Sequence, residues 1–220
     1  MSAAPLETIE IETAPDPQAS VIWLHGLGAD GGDFAPLADE IKLPIGVRYI
    51  FPHAPTMPVT INGGYVMRAW YDISDAAIRR EDEAGVRASQ KSVEALLARE
   101  KARGITASRI VLAGFSQGGA IALHTGLRHS ERLAGIMALS TYVPVADALA
   151  AEVSPANRDV PIFMAHGTHD PMIRVARAIA SHDLLQQLGY APEWREYRME
   201  HSVCPQEIAD IANWLRRVLA

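Results

Sequence analysis

A chain of 220 residues, 49% hydrophobic and 21% charged, suits one globular domain with a substantial core and is cramped for two. The net charge of −6 leaves no basic stripe for phosphate contacts, and the arginines between 79 and 109 are interleaved with Glu81, Asp82, Glu83, Glu94 and Glu100, so no nucleic-acid partner is expected. Cys204 is the only cysteine, which excludes an internal disulfide and C-x-x-C metal sites, and no apolar run approaches the ~18 residues of a membrane span.

Taken in chain order, Leu6 to Thr13 alternates weakly and reads as an edge strand, and Ser20 to Leu24 is a short apolar burst suited to a strand buried on both faces. Val47 to Phe51, Arg109 to Ala113, Leu133 to Ser140 and Val160 to Ala165 repeat that form, and Glu193 to Met199 is again strand-like. Helical period falls at roughly 33–41, 82–103, 117–129, 145–152, 172–188 and 205–219. The 82–103 segment has Glu81, Asp82 and Glu83 at its positive end, Lys101 and Arg103 at its negative end, and Gly104 as a stop. This βαβα alternation predicts an α/β fold: a mostly parallel sheet of about seven strands covered on both faces, with ligand sites at the carboxyl ends of the strands. The segment 52–80 breaks the alternation, carrying Pro52, Pro55, Pro58, Asn62, Gly63 and Gly64, then Tyr65, Met67, Trp70 and Tyr71. Long turn-rich segments of this kind are usually functional or mobile, so it reads as one wall of a substrate pocket; a surface excursion packing its own aromatics is the alternative. The opening Met1 to Glu7 lacks the basic and apolar regions of a secretory signal, and a soluble cytoplasmic protein is expected.

Chemistry concentrates at Gly114-Phe115-Ser116-Gln117-Gly118, where an apolar β-branched run stops and a Gly/Ala-rich helix begins. This is the strand, sharp turn and helix of a nucleophile elbow, with Ser116 at its tip and glycines two residues to either side that avoid crowding the turn. A serine becomes a useful nucleophile only beside a base and a pocket for developing negative charge. In doubly wound hydrolases the base follows the acid and the acid follows the serine. That order sets aside His25 and His53, which precede Ser116, His124 and His129 in or just past the following helix, and His166 and His169 before or beside the best acid. His182 sits within a helical pattern, leaving His201 in a loop after a strand. Of Asp147, Asp159 and Asp170, only Asp170 directly follows a core strand; the others occupy capping and turn positions. The oxyanion hole then draws on the backbone N–H of Gln117 and one from the glycine-rich His25–Gly32 loop, with Leu27 the candidate. That loop lacks the G-x-G-x-x-G and Lys-Ser/Thr patterns of nucleotide sites.

Leu24-His-Gly-Leu-Gly-Ala-Asp30, Gly114-Phe-Ser-Gln-Gly-Gly119, Leu139-Ser-Thr-Tyr-Val-Pro144, His166-Gly-Thr-His-Asp170 and His201 together resemble the carboxylesterase, lysophospholipase and acyl-protein thioesterase family of α/β-hydrolases, from about residue 6 to 219. The resemblance implies an α/β-hydrolase fold with a minimal lid, Ser116, Asp170 and His201 as triad, and Leu27 and Gln117 as main-chain oxyanion donors. It implies that Trp70-Tyr71-Asp72 lies near the acyl pocket and that the protein forms a homodimer. The expected activity is cofactor-free, metal-free hydrolysis of carboxylic esters of short to medium acyl chains, with lysophospholipids and S-acyl thioesters as further substrate classes. An apolar pocket of Leu27, Trp70, Phe115, Met172, Val143 and Val203 should hold the acyl group. A non-catalytic binding protein and a peptidase on the same fold are the alternatives, whereas dienelactone hydrolysis is disfavoured because the elbow holds serine and not cysteine. Cys204 reads as a small buried hydrophobe beside the His201 loop.

Overall fold

The computed structural model describes residues 5–75 and 82–220. The end of the 52–80 segment, Glu81 at the helix entrance and the first four residues lie outside the described residues. Strands β1 (Thr8–Glu12), β2 (Ala19–Leu24) and β3 (Val47–Pro52) precede a short pair, β4 (Thr56–Val59) and β5 (Tyr65–Arg68). They are followed by β6 (Ile110–Phe115), β7 (Gly135–Leu139), β8 (Ile162–Gly167) and β9 (Glu193–Tyr197). The helices are α1 (Leu37–Glu40), α2 (Glu83–Ala102), α3 (Gln117–Arg128), α4 (Ala146–Glu152), α5 (Val175–Gln187) and α6 (Pro205–Val218).

Seven strands form one sheet in the order β1-β3-β2-β6-β7-β8-β9. Only β1 runs antiparallel, Ile9 opposite Phe51; the other pairs are parallel. The sheet is the mostly parallel one that the alternation predicts, and the fold is the α/β-hydrolase fold that the resemblance implies. In β2, β3, β7 and β8 every residue is buried, because helices cover both faces. The pleat divides the core in two: Ile22, Leu24, Leu112 and Ile136 pack with α2 and α3 on one side. Val21, Trp23, Val111 and Met137 pack with Ile211, Trp214 and Leu215 of α6 on the other. A buried polar lock joins sheet and helix where Glu100 of α2, wholly inaccessible, accepts from Ser20 Oγ at 2.5 Å and from Arg48 Nη1 at 2.8 Å.

Two expectations are corrected. The helix expected over 33–41 shrinks to a 3₁₀ turn at Gly31–Asp33 and the single turn α1. Asp30 and Asp33 cap that turn reciprocally, and the chain leaves helical geometry at Ile41 before Pro44. The segment after Pro52 is not irregular throughout, because β4 and β5 form an antiparallel hairpin with Met57 opposite Met67. Gly63 and Gly64 turn it with φ of 67° and 79°, and Asp72 braces it by accepting from Thr60 N at 2.7 Å and Thr60 Oγ1 at 2.5 Å. Strands of four residues with Pro58 inside one of them carry too little alternation to announce themselves.

Glu207, in the first turn of α6, is fully buried. Burial raises its carboxyl from 4.5 to about 8, with Asp210 adding to the rise and the Cys204 backbone favouring the charged form too weakly to offset it. Between about pH 4.5 and 8 the folded state therefore keeps a proton that the unfolded chain has lost, so stability falls as pH rises through that window. Urea unfolding should report this slope, at most about 1.4 kcal/mol per pH unit, and Glu207→Gln should flatten it; an unchanged slope in the variant would assign it to other groups.

Candidate active site

The site forms where the carboxyl ends of β2, β6, β8 and β9 meet one edge of the sheet. β6 delivers Ser116, which adopts φ 54° and ψ −120°, a conformation costly for any residue with a side chain. The turn persists because its neighbours overdetermine it: Ser116 N donates to Leu139 O at 2.8 Å, and Thr141 Oγ1 donates to Ser116 O at 2.6 Å. The flanking glycines are required by contact. A Cβ at Gly114 would stand 2.3 Å from the Gly118 backbone, and one at Gly118 would stand 2.3 Å from Leu24 O.

The three predicted side chains come together. Ser116 Oγ donates to His201 Nε2 at 2.9 Å, and His201 Nδ1 donates to Asp170 Oδ2 at 2.6 Å. Because an ionised carboxylate can only accept, the proton sits on Nδ1 and leaves the Nε2 lone pair facing the serine. Asp170 is buried, and its Oδ1 accepts from Met172 N at 2.8 Å and Ile173 N at 2.9 Å. His201 stacks tilted on Phe115, ring centroids 4.8 Å apart. Leu27 and Gln117, the expected donors, line the same cavity as Ser116, and their backbone N–H groups have no backbone acceptor among the described residues. Gln117 opens α3, so its N–H lies at the positive end of the helix dipole.

That cavity measures about 730 Å³. Leu27, Phe115, Met172 and Val203 line it as expected, with Ile61 and Met67 of the hairpin segment and Tyr142 beyond β7. Trp70 and Val143 do not. Val143 is packed into the core under the sheet edge, and Trp70 is buried and spent on structure: its indole N–H donates to His25 O at 2.9 Å and its carbonyl accepts from Ser89 Oγ. Its neighbour Tyr71 reaches the cavity instead and shares a 2.8 Å hydrogen bond with Tyr142 OH. Cys204 is only half-buried, against the α6 side of the core.

Two roles escaped the sequence because they are made by backbone partners far along the chain. The Gln117 side chain accepts from Trp70 N at 2.8 Å and donates to Tyr71 O at 2.7 Å, pinning the pocket wall to the elbow. His25 donates from Nδ1 to Gly26 O at 2.7 Å and accepts at Nε2 from Ala54 N at 3.0 Å, which fixes the oxyanion-side loop against the 52–80 segment. Burial holds its pKa below the usual histidine value, so it stays neutral and keeps both roles. Among the described residues no cluster of three or more His, Cys, Asp or Glu side chains could hold a metal, and no helix is long and apolar enough to cross a membrane.

A serine on a strained strand-to-helix turn, a histidine and aspartate from later strand ends, and a neighbouring apolar cavity define a hydrolase of the α/β class. The chain belongs to the phospholipase/carboxylesterase family, whose model matches residues 6–219. It is similar to acyl-protein thioesterase 1 of Gibberella zeae, 37% identical over 231 residues that take in 100% of this chain and 98% of the relative. Among solved structures it resembles Arabidopsis thaliana SOBER1, with a TM-score of 0.87 and 31% identity over 92% of this chain and 99% of that one. Zea mays acyl-protein thioesterase 2 matches with a TM-score of 0.87 and 27% identity, over 97% and 99% of the two chains. The protein is thus an esterase- or thioesterase-type hydrolase and not a binding protein that merely keeps the fold.

Replacing Gln117 by Leu retains the backbone N–H but removes the donor to Tyr71 O and takes the acceptor from the Trp70 N–H, a buried donor whose loss of partner costs about 1–3 kcal/mol. Thermal unfolding should show the loss, and the fall in kcat/KM should exceed any fall in kcat because the pocket wall loosens. Native stability in Gln117→Leu would remove the clamp assignment.

Proposed function

We propose that the protein hydrolyses carboxylic esters and thioesters of apolar acyl groups through an acyl-enzyme on Ser116. The observation that carries this is the continuous 2.9 Å and 2.6 Å chain from Ser116 through His201 to Asp170 at the edge of the apolar cavity. Ser116 Oγ attacks the acyl carbonyl carbon while His201 Nε2 takes its proton. Asp170 keeps the imidazole in the tautomer that can accept it and stabilises the imidazolium. The Leu27 and Gln117 N–H groups receive the developing oxyanion, each such donor being worth about 10² to 10³ in rate. His201 then protonates the departing alkoxide or thiolate, leaving the acyl group on Ser116. A water, deprotonated by His201, attacks the acyl-enzyme and releases the carboxylic acid. Water is the only co-reactant the balance requires.

The cavity volume falls in the roughly 300–1,000 Å³ range of small-molecule sites. Apolar walls of Phe115, Met172, Ile173 and Val203 favour a desolvated acyl chain over a peptide, whose amides would go unpaired there.

Hydrolysis of p-nitrophenyl esters from acetate to palmitate, and of matched acyl thioesters, tests the reading. Ser116→Ala should lower kcat by about 10⁶, and Asp170→Asn by about 10⁴ through the wrong His201 tautomer. Turnover concentrated at short chains would mark a small-ester carboxylesterase, and preference for long chains would point to lysophospholipid or S-acyl substrates. Turnover that survives Ser116→Ala would overturn the mechanism.

A further inference from the structure

His166, near the end of β8, was set aside as a base by its place before Asp170, yet it is fully buried against the same carboxylate. Its Nε2 stands 2.7 Å from Ile173 O and 3.3 Å from Asp170 Oδ2, the oxygen that accepts from His201. A carbonyl can only accept, so the His166 proton must be on Nε2. That N–H donates to Ile173 O, closing the end of the Asp170–Ile173 turn against β8 with Asp170 Oδ2 as a polar neighbour at 3.3 Å, while Nδ1 makes no hydrogen bond and remains a bare lone pair. The charged and titratable groups that face the ring are Asp170 on the turn, His201 across it and Glu196, its register partner on β9. Burial outweighs the carboxylates and holds the ring below the usual histidine pKa, which favours the neutral, single-proton form.

The geometry points to His166 as a positioning residue for the reaction: its Nε2–H holds the Ile173 carbonyl, and with it the Met172–Ile173 backbone whose two N–H groups clasp Asp170 Oδ1, so that Oδ2 stays aimed at His201. The same tie holds Met172 and Ile173, both cavity-lining, against the strand that carries the acid. The orientation of the triad and the shape of the pocket wall thus share one fastening. A residue needed only for packing at this position could be any side chain of similar volume, whereas this role requires a donor at the reach of Nε2.

The inference rests on the triad reading and is tested separately from it. His166→Gln places an amide N–H at about the reach of Nε2, and His166→Met has similar length with no donor. Loss of Asp170 aim should lower kcat in His166→Met on the order of 10²-fold, the scale of a 1 Å misplacement, with KM changed by less than about twofold. His166→Gln should recover most of the native kcat. The downfield His201 Nδ1 proton resonance should broaden or shift in His166→Met and persist in His166→Gln. In the native enzyme, ¹⁵N-histidine spectra at neutral pH should show one Nε2–H tautomer for His166, a readout that needs no variant to fold. Equal losses in both variants with an unmoved His201 resonance, native kcat in His166→Met, or an Nδ1–H His166 would each overturn the role. Ser116→Ala inactive alongside a fully active His166→Met would sink this inference alone; activity in Ser116→Ala would sink the triad beneath it.

Discussion

The turn at Ser116 constrains everything around it. A serine at φ 54° is an unfavourable local conformation, and it sits where β6, β2 and α3 approach too closely to admit a side chain at Gly114 or Gly118. Gly118 lies against Leu24 O at a distance that admits no side chain. That contact brings the end of β2 beside the start of α3, so that the loop carrying Leu27 and the first turn carrying Gln117 line one cavity with the nucleophile. The strain falls at the one position where an exposed, rigid hydroxyl is useful, and the buried strands on either side offset it by packing.

Around that turn the site is stiffened chiefly by polar groups whose partners are backbone atoms. Gln117 reads the Trp70 N–H and the Tyr71 carbonyl, His25 bridges Gly26 and Ala54, and Asp170 accepts two amides as well as an imidazole. Each such group is buried, so leaving its partner unmade would cost more than the bond contributes when formed. This asymmetry lets a cavity lined largely by flexible apolar side chains sit on a frame that does not move with them. It also explains why Trp70, an aromatic residue within the pocket-forming segment, faces inward: its indole N–H has a buried acceptor at His25 O, and the tyrosine beside it takes the wall.

The order of strands and helices, the elbow and the three side chains that meet beside the cavity could all be read from the chain alone. Alternating apolar bursts and helical periods are local signals, and the chain order of serine, acid and base, together with the helical pattern around His182, leaves His201 without coordinates. Leu27 as an oxyanion candidate was legible too, because glycines following a buried strand advertise a backbone bent toward a ligand.

Tertiary structure decided what depends on residues distant in sequence meeting. It chose Tyr71 and Tyr142 over Trp70 and Val143 for the cavity, because one residue of pleat or turn separates a wall side chain from a core one and the pattern in 52–80 is too short to set that register. It folded that segment into a hairpin held by Asp72, and it gave Gln117, His25 and His166 partners 46, 29 and 7 residues away. Covalent neighbours and periodicity specify what a residue is near along the chain; which buried donor faces which buried acceptor is settled only when the sheet has brought its strand ends together.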